Sequence, residues 1–361
     1  MYLIITRTFP PEVGGMQNLM WGLARSLAKL DMVKVFADYH EDHEKFDEKV
    51  PFTIERISGV KLIRKYRKSF LINEYLKENQ NIKCIIADHW KSLELISSEK
   101  KKICLIHSKE INHNKGSRNN TKLVKILNNI DYVVANSQFT KNLAIEKGVE
   151  ENKIVVINPG VDPVNEIPKE DLKKAEEILK GKEQKLITVS RYDKRKNHEK
   201  VIMALRNLKE KFPKIVYTCI GYGDEEENLK KLVIELNLEN HVVFLNDISN
   251  ELKNALIAKS DVFIMPSIIH KTSVEGFGIS FIEAAQYGIP SIGGKDGGAS
   301  DAITHNVSGL ICDGNSLDDV YSSICSMFEN NKHLEYGRNA KEKVSKFYWS
   351  KIIDQYNKIL N

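Results

Sequence analysis

Two glutamates frame a glycine-rich segment in the second half of the chain, and their spacing suits a diphosphate attached to a ribose. Glu275 is followed by Gly276, and Gly278 opens a predicted helix that carries Glu283. Glycines expose the N–H groups at a helix start, where the helix bears about half a positive charge. Glu283 lies two turns farther on, roughly 8–10 Å away at 1.5 Å per residue. A diphosphate on the helix start would therefore leave Glu283 free to accept hydrogen bonds from ribose hydroxyls.

A group of four cations follows the first predicted strand of the second half. Residues 191–196 contain Arg191 and Lys196 at the two ends, with Lys194 and Arg195 between them. Ligands of open parallel sheets bind outside the carboxyl ends of the strands. The loop either holds an anion there or is an ordinary solvated loop, and these residues alone leave both interpretations open.

Two further glycine turns follow predicted strands. Gly14 and Gly15 precede a helical pattern at 17–29, and Gly221 follows the predicted strand 215–220. Such turns let backbone N–H groups approach an anion or a base, but they also occur as ordinary tight turns. Neither is a G-x-G-x-x-G motif, and the lysine and Ser/Thr of a P-loop are missing.

His107 ends the apolar run 103–106, at the carboxyl edge of another predicted strand. A histidine in this position is either a satisfied core residue or a substrate contact. The polar residues Ser108, Lys109 and Glu110 follow it, which is typical of a polar wall at the edge of a sheet.

Short apolar runs alternate with amphipathic helical patterns along the whole chain. Continuous apolar strands between helices predict parallel sheets covered on both faces. Two series of six strands favour an α/β protein with two Rossmann-like domains over one very wide sheet. The predicted strands are 2–6, 33–37, 83–87, 102–106, 132–135 and 154–157, then 185–190, 215–220, 241–245, 262–265, 291–293 and 309–311.

A turn-rich segment at 158–163, followed by the polar stretch 164–184, predicts a linker between the domains. We therefore expect an N-terminal domain at 1–163 and a C-terminal domain at 164–346. The aromatic-rich segment 347–361 is predicted to pack back on the first domain as a helix.

Composition limits the class of protein further. The 54 Lys and Arg exceed the 49 Asp and Glu by only five, far from the basic bias of nucleic-acid binders. No apolar run approaches the roughly 20 residues of a membrane span. The five cysteines are scattered and odd in number, which is typical of buried thiols in a reducing compartment. We expect a cytoplasmic protein with no nucleic-acid partner.

Together, these motifs resemble the retaining, nucleotide-sugar-dependent glycosyltransferases of the GT-B type, the large family-four group (glycosyl transferases group 1). The signature is the motif of two glutamates separated by seven residues at 275–283. It is supported, in the family's order, by residues 11–16, 136–140 and 158–162, and by Arg191 with Lys196. The resemblance spans almost the whole chain and implies two Rossmann-like domains facing each other across a cleft.

The resemblance also implies roles for individual residues. Gly14 and Gly15 would place backbone N–H groups on the donor diphosphate, and His107 would contact the donor sugar, although Ser108 follows it where the family more often has glycine. The implied catalytic residues are His107, Arg191, Lys196 and Glu275. The implied donor-binding residues are Gly14, Gly15, Gly221, Phe277, Gly278, Ile279 and Glu283.

Sugar transfer builds negative charge on the departing diphosphate, and fixed cations such as Arg191 and Lys196 stabilise that charge most in the transition state. In this family the acceptor is thought to attack from the front face, so no carboxylate pair is needed. No Asp-x-Asp motif of metal-dependent transferases occurs. We expect a nucleotide-sugar co-substrate, GDP- or UDP-linked, with no metal or other cofactor. Residues 274–278 and 295–302 resemble most the mannosyltransferases that use GDP-mannose.

The acceptor is expected to be a glycan or a lipid-linked molecule. Residues 61–68 place five cations beside apolar side chains. They suit peripheral contact with an anionic membrane, at its inner face, or a solvated helix face. The alternatives to this function are a UDP-sugar-dependent transferase of the same fold, a nucleotide-sugar epimerase and a non-catalytic nucleotide-sugar-binding module.

Overall fold

The computed structural model describes residues 1–360, with every side chain in that range except those of Lys61 and Leu62. The chain forms two compact units. Unit 1 comprises Met1–Asp162 together with the segment that begins at Phe347, and unit 2 comprises Pro163–Lys346. The sequence predicts the first boundary one residue later. Asn361, the last residue of the predicted segment 347–361, lies outside the described residues.

Unit 1 contains a seven-stranded sheet in which every neighbouring pair is parallel. The strand order is β3-β2-β1-β4-β5-β6-β7. The order reverses between β1 and β4, which makes this the point where ligands of Rossmann-like sheets bind. The strands are β1 (Tyr2–Ile5), β2 (Val33–Asp38), β3 (Thr53–Ile57), β4 (Cys84–Ala87), β5 (Lys101–Ile106), β6 (Tyr132–Ala135) and β7 (Ile154–Val156).

Strand β3 is absent from the sequence prediction. It lies at the edge of the sheet, and only Ile57 at its end is buried. Glu55 and Arg56 interrupt its apolar pattern, and Glu55 pairs with Lys34 of β2. An edge strand needs no continuous apolar run, because one side faces solvent, so its pattern gave no signal.

The helices of unit 1 cover both faces of the sheet. The last helix packs on the first, and Trp349 lies between two glycines: a Cβ at Gly22 would stand 2.1 Å from its Nε1, and one at Gly160 2.5 Å from its Cδ2. Ile352 and Tyr356 extend the same core. The helices are α1 (Gly15–Leu27), α2 (His43–Asp47), α3 (Lys61–Glu78), α4 (Arg118–Asn128), α5 (Gln138–Lys147) and α14 (Trp349–Leu360).

Unit 2 contains a six-stranded parallel sheet in the order β10-β9-β8-β11-β12-β13. This is the Rossmann order, with the reversal between β8 and β11. The predicted α/β fold with two parallel sheets is confirmed. The strands are β8 (Lys185–Val189), β9 (Val216–Ile220), β10 (Val242–Leu245), β11 (Val262–Met265), β12 (Ser291–Gly294) and β13 (Gly309–Cys312).

The segment predicted as a linker contains the first helix of unit 2, which packs against α9. Only Ala175 and, just after the helix, Leu179 are buried there, so its composition is that of a solvated segment. The helices of unit 2 are α6 (Lys169–Ile178), α7 (His198–Lys211), α8 (Glu226–Glu235), α9 (Asn250–Ala258), α10 (Ile279–Gln286), α11 (Ala299–Ala302), α12 (Leu317–Phe328) and α13 (Lys332–Lys343).

Candidate functional site

The loops after β8 and β11 meet at the point where the strand order of unit 2 reverses. After β8 a short 3₁₀ turn, Lys194–Lys196, leads into α7. After β11 the chain runs through Glu275 into α10. The residues singled out from the sequence in this unit lie on these two loops, on α10, and at Gly221 after β9.

The turn that carries the cations is fixed by its own side chains. Asp193 caps it, because its Oδ1 accepts a hydrogen bond from the Lys196 N–H at 3.2 Å. Asn197, in the left-handed region at φ 64°, donates to the carbonyl oxygens of Pro266 (2.9 Å) and Gly314 (2.8 Å). The loops after β8, β11 and β13 are thereby tied together, and Arg191 remains exposed at the edge.

Glu275 forms a buried ion-pair cluster with two adjacent cations. Lys196 Nζ lies 2.5 Å from Glu275 Oε2, and Arg195 Nη1 donates to the same oxygen. The side chains of Arg195 and Lys196 are each 11% exposed, and that of Glu275 is 12% exposed. Burial raises the pKa of Glu275, but Lys196 and Arg195 outweigh it and hold that pKa at about 2. Glu275 is therefore ionised at neutral pH.

Burial lowers the pKa of Lys196, and Glu275 opposes that effect. Its ammonium also lies 3.3 Å from Met265 Sδ, at the end of β11. The cluster therefore holds a cation in a largely dry place with one carboxylate as its partner. An anion arriving at this edge could compete with Glu275 for Lys196, while Arg195 stays on the carboxylate.

The start of α10 suits an anion in the way that the sequence predicts. Gly278 precedes the helix at φ 87°, and a Cβ there would stand 2.5 Å from the Phe281 ring, so glycine is required. No side chain caps the helix. The N–H groups of a first helical turn have no partner inside the helix. Ile279 opens that turn and is only partly buried, whereas Phe277 before it is buried.

The Glu283 side chain, on α10, is partly exposed and makes no hydrogen bond or ion pair with any of residues 1–360. It lies one turn from Tyr287, whose pKa is raised by burial and then by the Glu283 charge. Its carboxylate is thus available to a ligand.

Glycines hold the loops of this site close together. A Cβ at Gly221 would stand 2.0 Å from the Ser190 carbonyl oxygen, and the Gly221 N–H donates to the Leu245 carbonyl oxygen at 3.1 Å. Gly221 therefore brings the loop after β9 against Ser190, and its N–H is already used inside the protein. Gly297 likewise lets its loop approach the Glu275 backbone, because a Cβ there would lie 2.4 Å from the Glu275 carbonyl oxygen.

Arg195, Asp193 and Asn197 belong to the site but were not singled out from the sequence. The four clustered cations indicated the loop, yet nothing in their spacing distinguishes Arg195 from exposed Lys194. A capping aspartate followed by a turn was the available signal for Asp193.

In unit 1, the predicted glycines lie at the start of α1. Gly14 precedes the helix and Gly15, which is exposed, opens it. No side chain caps this helix start either. A Cβ at Gly14 would stand 2.4 Å from Gln17 Oε1.

His107 follows β5, and its ring donates to the Asp88 carbonyl oxygen, while Nε2 is buried with no partner among the described residues. Burial lowers its pKa, so the ring is neutral and Nε2 is a bare acceptor. Ser108 beside it has φ 89°. This left-handed backbone favours glycine.

The basic stretch 61–68 forms the first turns of α3, and most of its charge is used inside unit 1. Arg64 and Lys68 pair with Asp38 at 3.2 and 2.8 Å, and Lys65 pairs with Glu94 at 2.5 Å. The side chains of Lys61 and Leu62 lie outside the described residues. The solvent-facing side of the helix is instead apolar, with Ile63, Tyr66 and Phe70 about two thirds exposed.

Two consecutive parallel sheets in Rossmann order, with an ion cluster and an uncapped helix start at the second, are typical of the GT-B class of protein. Two family models match the chain in succession: Glycosyltransferase Family 4 at residues 13–165, and Glycosyl transferases group 1 at residues 169–344. The chain belongs to the group 1 glycosyltransferase family and is a GT-B glycosyltransferase.

Curated relatives are distant but extend over most of the chain. A GDP-mannose-dependent alpha-(1-6)-phosphatidylinositol monomannoside mannosyltransferase of Mycolicibacterium smegmatis is 26% identical over 341 residues, 89% of this chain and 87% of the relative. An uncharacterized glycosyltransferase of Methanocaldococcus jannaschii is 31% identical over 241 residues, 65% of this chain and 59% of the relative.

Solved structures show the same fold. HepE of Anabaena in complex with UDP has a TM-score of 0.84 at 20% identity and is covered over 99% of both chains. Sucrose-phosphate synthase of Thermosynechococcus elongatus has a TM-score of 0.83 at 20% identity, over 99% of this chain and 98% of that chain.

Proposed function

We propose that this glycosyltransferase moves a hexose, with mannose from GDP-mannose as the preferred donor, onto a glycan or lipid-linked acceptor with retention of configuration. The observation that carries the proposal is the cluster of Lys196, Arg195 and Glu275 beside the uncapped start of α10. It combines fixed positive charge with a helix start that no side chain caps, at the edge of the sheet where nucleotides bind. Gly14, Gly15 and His107, in unit 1, keep the donor contacts that the family resemblance implies.

The proposed chemistry follows from charge. The bond between the anomeric carbon and the diphosphate oxygen breaks, and the leaving diphosphate gains negative charge. Lys196, the exposed Arg191 and the N–H groups at the start of α10 stabilise that charge. One such donor is typically worth about 3–4 kcal/mol of barrier. Glu275 holds the sugar hydroxyls while Arg195 keeps it ionised and aligned, and Glu283 accepts hydrogen bonds from the ribose.

Retention follows if the acceptor hydroxyl attacks from the face that the diphosphate leaves, with the departing phosphate oxygen taking the hydroxyl proton. This route needs neither a second carboxylate nor a metal ion. We therefore predict that activity survives EDTA.

The choice of donor base rests on relatives. The Mycolicibacterium relative, named as GDP-mannose-dependent, covers most of the chain and supports mannose. HepE of Anabaena, solved with UDP-glucose, supports the second candidate, a UDP-sugar. Both share a nucleoside diphosphate, which is the part that α10 and Lys196 would bind.

A thermal-unfolding panel with GDP, UDP, ADP and their sugar conjugates, with EDTA present, tests the proposal. A ligand at 100 times its Kd stabilises the fold by about 2.7 kcal/mol. We expect GDP and GDP-mannose to raise the melting temperature. A response to UDP alone would replace mannose by a UDP-sugar, and no response to any nucleotide would contradict the donor site. The anomeric configuration of the product, read by NMR, then tests retention.

We also propose peripheral contact with a membrane through α3. Among residues 1–360, no helix is long and apolar enough to cross a bilayer. The contact would rest on Ile63, Tyr66 and Phe70, which recur on one helix face, with exposed Arg67 beside them. Replacing Tyr66 and Phe70 by Ser should abolish flotation with anionic vesicles, whereas replacing exposed Tyr222 of unit 2 by Ser should not. No flotation of the unmodified protein would contradict the contact.

A further inference from the structure

A buried histidine adjoins the turn that carries the cations of unit 2. His198 opens α7 and is 2% exposed. Its Nε2 lies 3.0 Å from Ser190 Oγ, and its Nδ1 lies 2.8 Å from the Tyr217 hydroxyl of β9. Ser190 directly precedes Arg191, one of the two cations proposed for the leaving diphosphate. The ring therefore connects the core of unit 2 to the start of the loop after β8.

The direction of each hydrogen bond in this chain of contacts follows from one backbone carbonyl. The Thr188 hydroxyl donates its single proton to the Ile264 carbonyl oxygen of β11, because a carbonyl can only accept. Thr188 Oγ1 must then accept from the Tyr217 hydroxyl, 2.8 Å away. Tyr217 has no second proton, so its oxygen accepts from His198 Nδ1. Nδ1 therefore carries a ring proton.

The His198 ring is neutral, so its other nitrogen is an acceptor. Burial, and then the nearby Lys196 charge, lower the pKa of His198 to about 3. Nε2 consequently accepts a hydrogen bond from the Ser190 hydroxyl. The Cys219 thiol also interacts with the Tyr217 hydroxyl, but burial raises the thiol pKa, and a neutral thiol is a weak partner. One tautomer, with the proton on Nδ1, thus satisfies every group from β11 to the loop.

The Arg191 carbonyl oxygen makes this choice of tautomer consequential. It accepts from the Asp193 N–H at 3.0 Å and lies 3.2 Å from Ser190 Oγ. The His198 ring also faces it. A ring with its proton on Nε2 would donate to this oxygen and compete with Asp193, the residue that caps the turn through the Lys196 N–H. The ring protonated on Nδ1 does not compete, so the turn stays closed.

We propose that His198 is a positioning residue for sugar transfer. Protonated on Nδ1, it holds Ser190 and leaves the Arg191 carbonyl oxygen to Asp193. The closed turn then keeps Arg191 and Lys196 fixed where the leaving diphosphate would meet them, and such preorganised charge stabilises a transition state. Because the ring is buried, it acts only through the turn. Its kinetic role rests on the donor site proposed above, whereas its tautomer does not.

NMR of the full chain labelled with ¹⁵N-histidine tests the tautomer, with long-range ¹H–¹⁵N correlations recorded at neutral pH. The His198 signals are those that His198→Phe removes, and we expect the proton on Nδ1. Tyr217→Phe deletes the acceptor, so the proton should move to Nε2 and donate to the Arg191 carbonyl oxygen. Tyr192→Phe is the matched control. It deletes another buried hydroxyl, which donates to the Cys219 carbonyl oxygen at 2.9 Å, and should leave the proton on Nδ1.

Kinetics test the positioning role. His198→Phe keeps the ring volume and leaves no buried donor unpaired: Tyr217 still donates to Thr188, and the Ser190 hydroxyl still reaches the carbonyl oxygen of the next residue. The variant should therefore fold, which thermal unfolding checks. Its kcat for GDP release from GDP-mannose should fall about tenfold or more, because the turn is no longer held in place. The Kd of GDP, measured by calorimetry, should change much less.

His198→Gln is the conservative variant for the same assay. Its side chain offers an amide N–H to Tyr217 and an amide oxygen to Ser190, which are the two hydrogen bonds that the ring makes. It should therefore restore most of the turnover that His198→Phe loses. A residue that only filled space would show the reverse, because phenylalanine matches the ring better than glutamine does.

Two NMR outcomes would overturn the inference: a proton on Nε2 in the unmodified protein, or a proton that stays on Nδ1 in Tyr217→Phe. Two kinetic outcomes would do the same: equal turnover of His198→Phe and His198→Gln, or equal losses of kcat and of GDP affinity. The nucleotide panel separates the two proposals. No response to any nucleotide would remove the donor site without moving the His198 proton, and a ring protonated on Nε2 would leave the nucleotide response intact.

Discussion

The two sheets share a strand order but carry different chemistry at the point where that order reverses. In unit 2, two carboxylates and two cations form a largely buried cluster, Glu275 and Asp193 with Arg195 and Lys196. In unit 1, neutral histidines surround Trp90, and the guanidinium of Arg7 is exposed. The first arrangement holds its charge compensated and dry, and the second presents charge to solvent.

We infer from this difference that the two sheet edges have different roles. A compensated cluster can release a cation to a developing charge without a large change in solvation, which suits a leaving diphosphate. An exposed cation beside bare ring nitrogens is open to a polar partner from solvent. On the proposals above, the same topology serves catalysis in one unit and selection of a partner in the other.

Removing the Glu275 carboxylate should have the largest effect on stability. A small effect would contradict the contrast drawn between the two units. Glu275→Gln leaves Lys196 buried without its counter-charge and Arg195 with Asp193 alone, and breaking a buried pair typically costs about 3–5 kcal/mol. Hydrogen exchange of the β8 and β11 amides measures the loss. Glu283→Gln, at a carboxylate with no partner among the described residues, should change stability by less than about 0.5 kcal/mol. Equal losses in the two variants would show that the cluster is not compensated.

Removing the cation tests the kinetic side of the same cluster. Lys196→Ala should lower kcat by about 10²–10³-fold, because charge on the leaving group is no longer stabilised. Donor affinity, measured by calorimetry, should fall much less, and Arg191→Ala should behave in the same way. Lys194→Ala, on the same turn but exposed, is the control. Equal loss of turnover and donor affinity would contradict the role.

The stability cost of an alanine at a glycine with positive φ can be compared between the two units. Gly278→Ala places a Cβ 2.5 Å from the Phe281 ring at φ 87° and should cost about 1–3 kcal/mol. Gly116 in unit 1 has a similar φ of 79° with nothing near the Cβ position. Gly116→Ala should therefore show the cost of the backbone alone, roughly 1 kcal/mol. Thermal unfolding of both variants measures the difference, and a Gly116→Ala loss as large as that of Gly278→Ala would exclude the contact with Phe281.

Acid should weaken unit 1 more steeply than unit 2. Burial lowers the pKa of His107 and of His113 and brings that of His89 to about 2, whereas His198, with a pKa of about 3, is the comparable group in unit 2. Below pH 6.5 these histidines become protonated in the unfolded chain, whereas their buried rings stay neutral in the folded protein. His89 and His198, whose folded pKa values lie far below this range, then each cost about 1.4 kcal/mol of stability per pH unit, and the lowered pKa values of His107 and His113 add to the loss in unit 1. Glu275, with its lowered pKa, adds a loss only below pH 4.5.

Hydrogen exchange at pH 6 and pH 5, resolved by unit, checks this dependence. Three such rings in unit 1 against one in unit 2 predict that protection falls more steeply, in free energy, in unit 1 than in unit 2. Equal slopes would mean that the unit 1 rings titrate as exposed histidines do.

Sequence patterns predict this fold where burial is continuous and fail where it is partial. All six strands of the unit 2 sheet were predicted, because helices cover both faces and leave unbroken apolar runs. Edge strand β3 and helix α6 bury too few side chains to give such a pattern.

The site divides in the same way. Glycine spacing indicated the α10 start and Glu275, because a close approach of backbone leaves glycine as its trace in the sequence. Pairing between side chains that are far apart in the sequence leaves no such trace. Neither the contact of Lys196 with Glu275 nor the role of Arg195 was therefore predicted. His198 was missed for the same reason, because its contacts with Ser190 and Tyr217 depend on how the loop folds.

The chain leaves unit 1 after Asp162 and returns at Phe347, and the two crossings are hydrogen-bonded side by side: the Val161 N–H donates to the Phe347 carbonyl oxygen, and the Trp349 N–H donates to the Val161 carbonyl oxygen. Trp349 then fills the gap between Gly22 and Gly160. During synthesis on a ribosome, unit 1 therefore begins first and finishes last, since its core waits for residues made after the whole of unit 2. A nascent chain stalled before residue 347 would hold a completed second unit beside an unfinished first one.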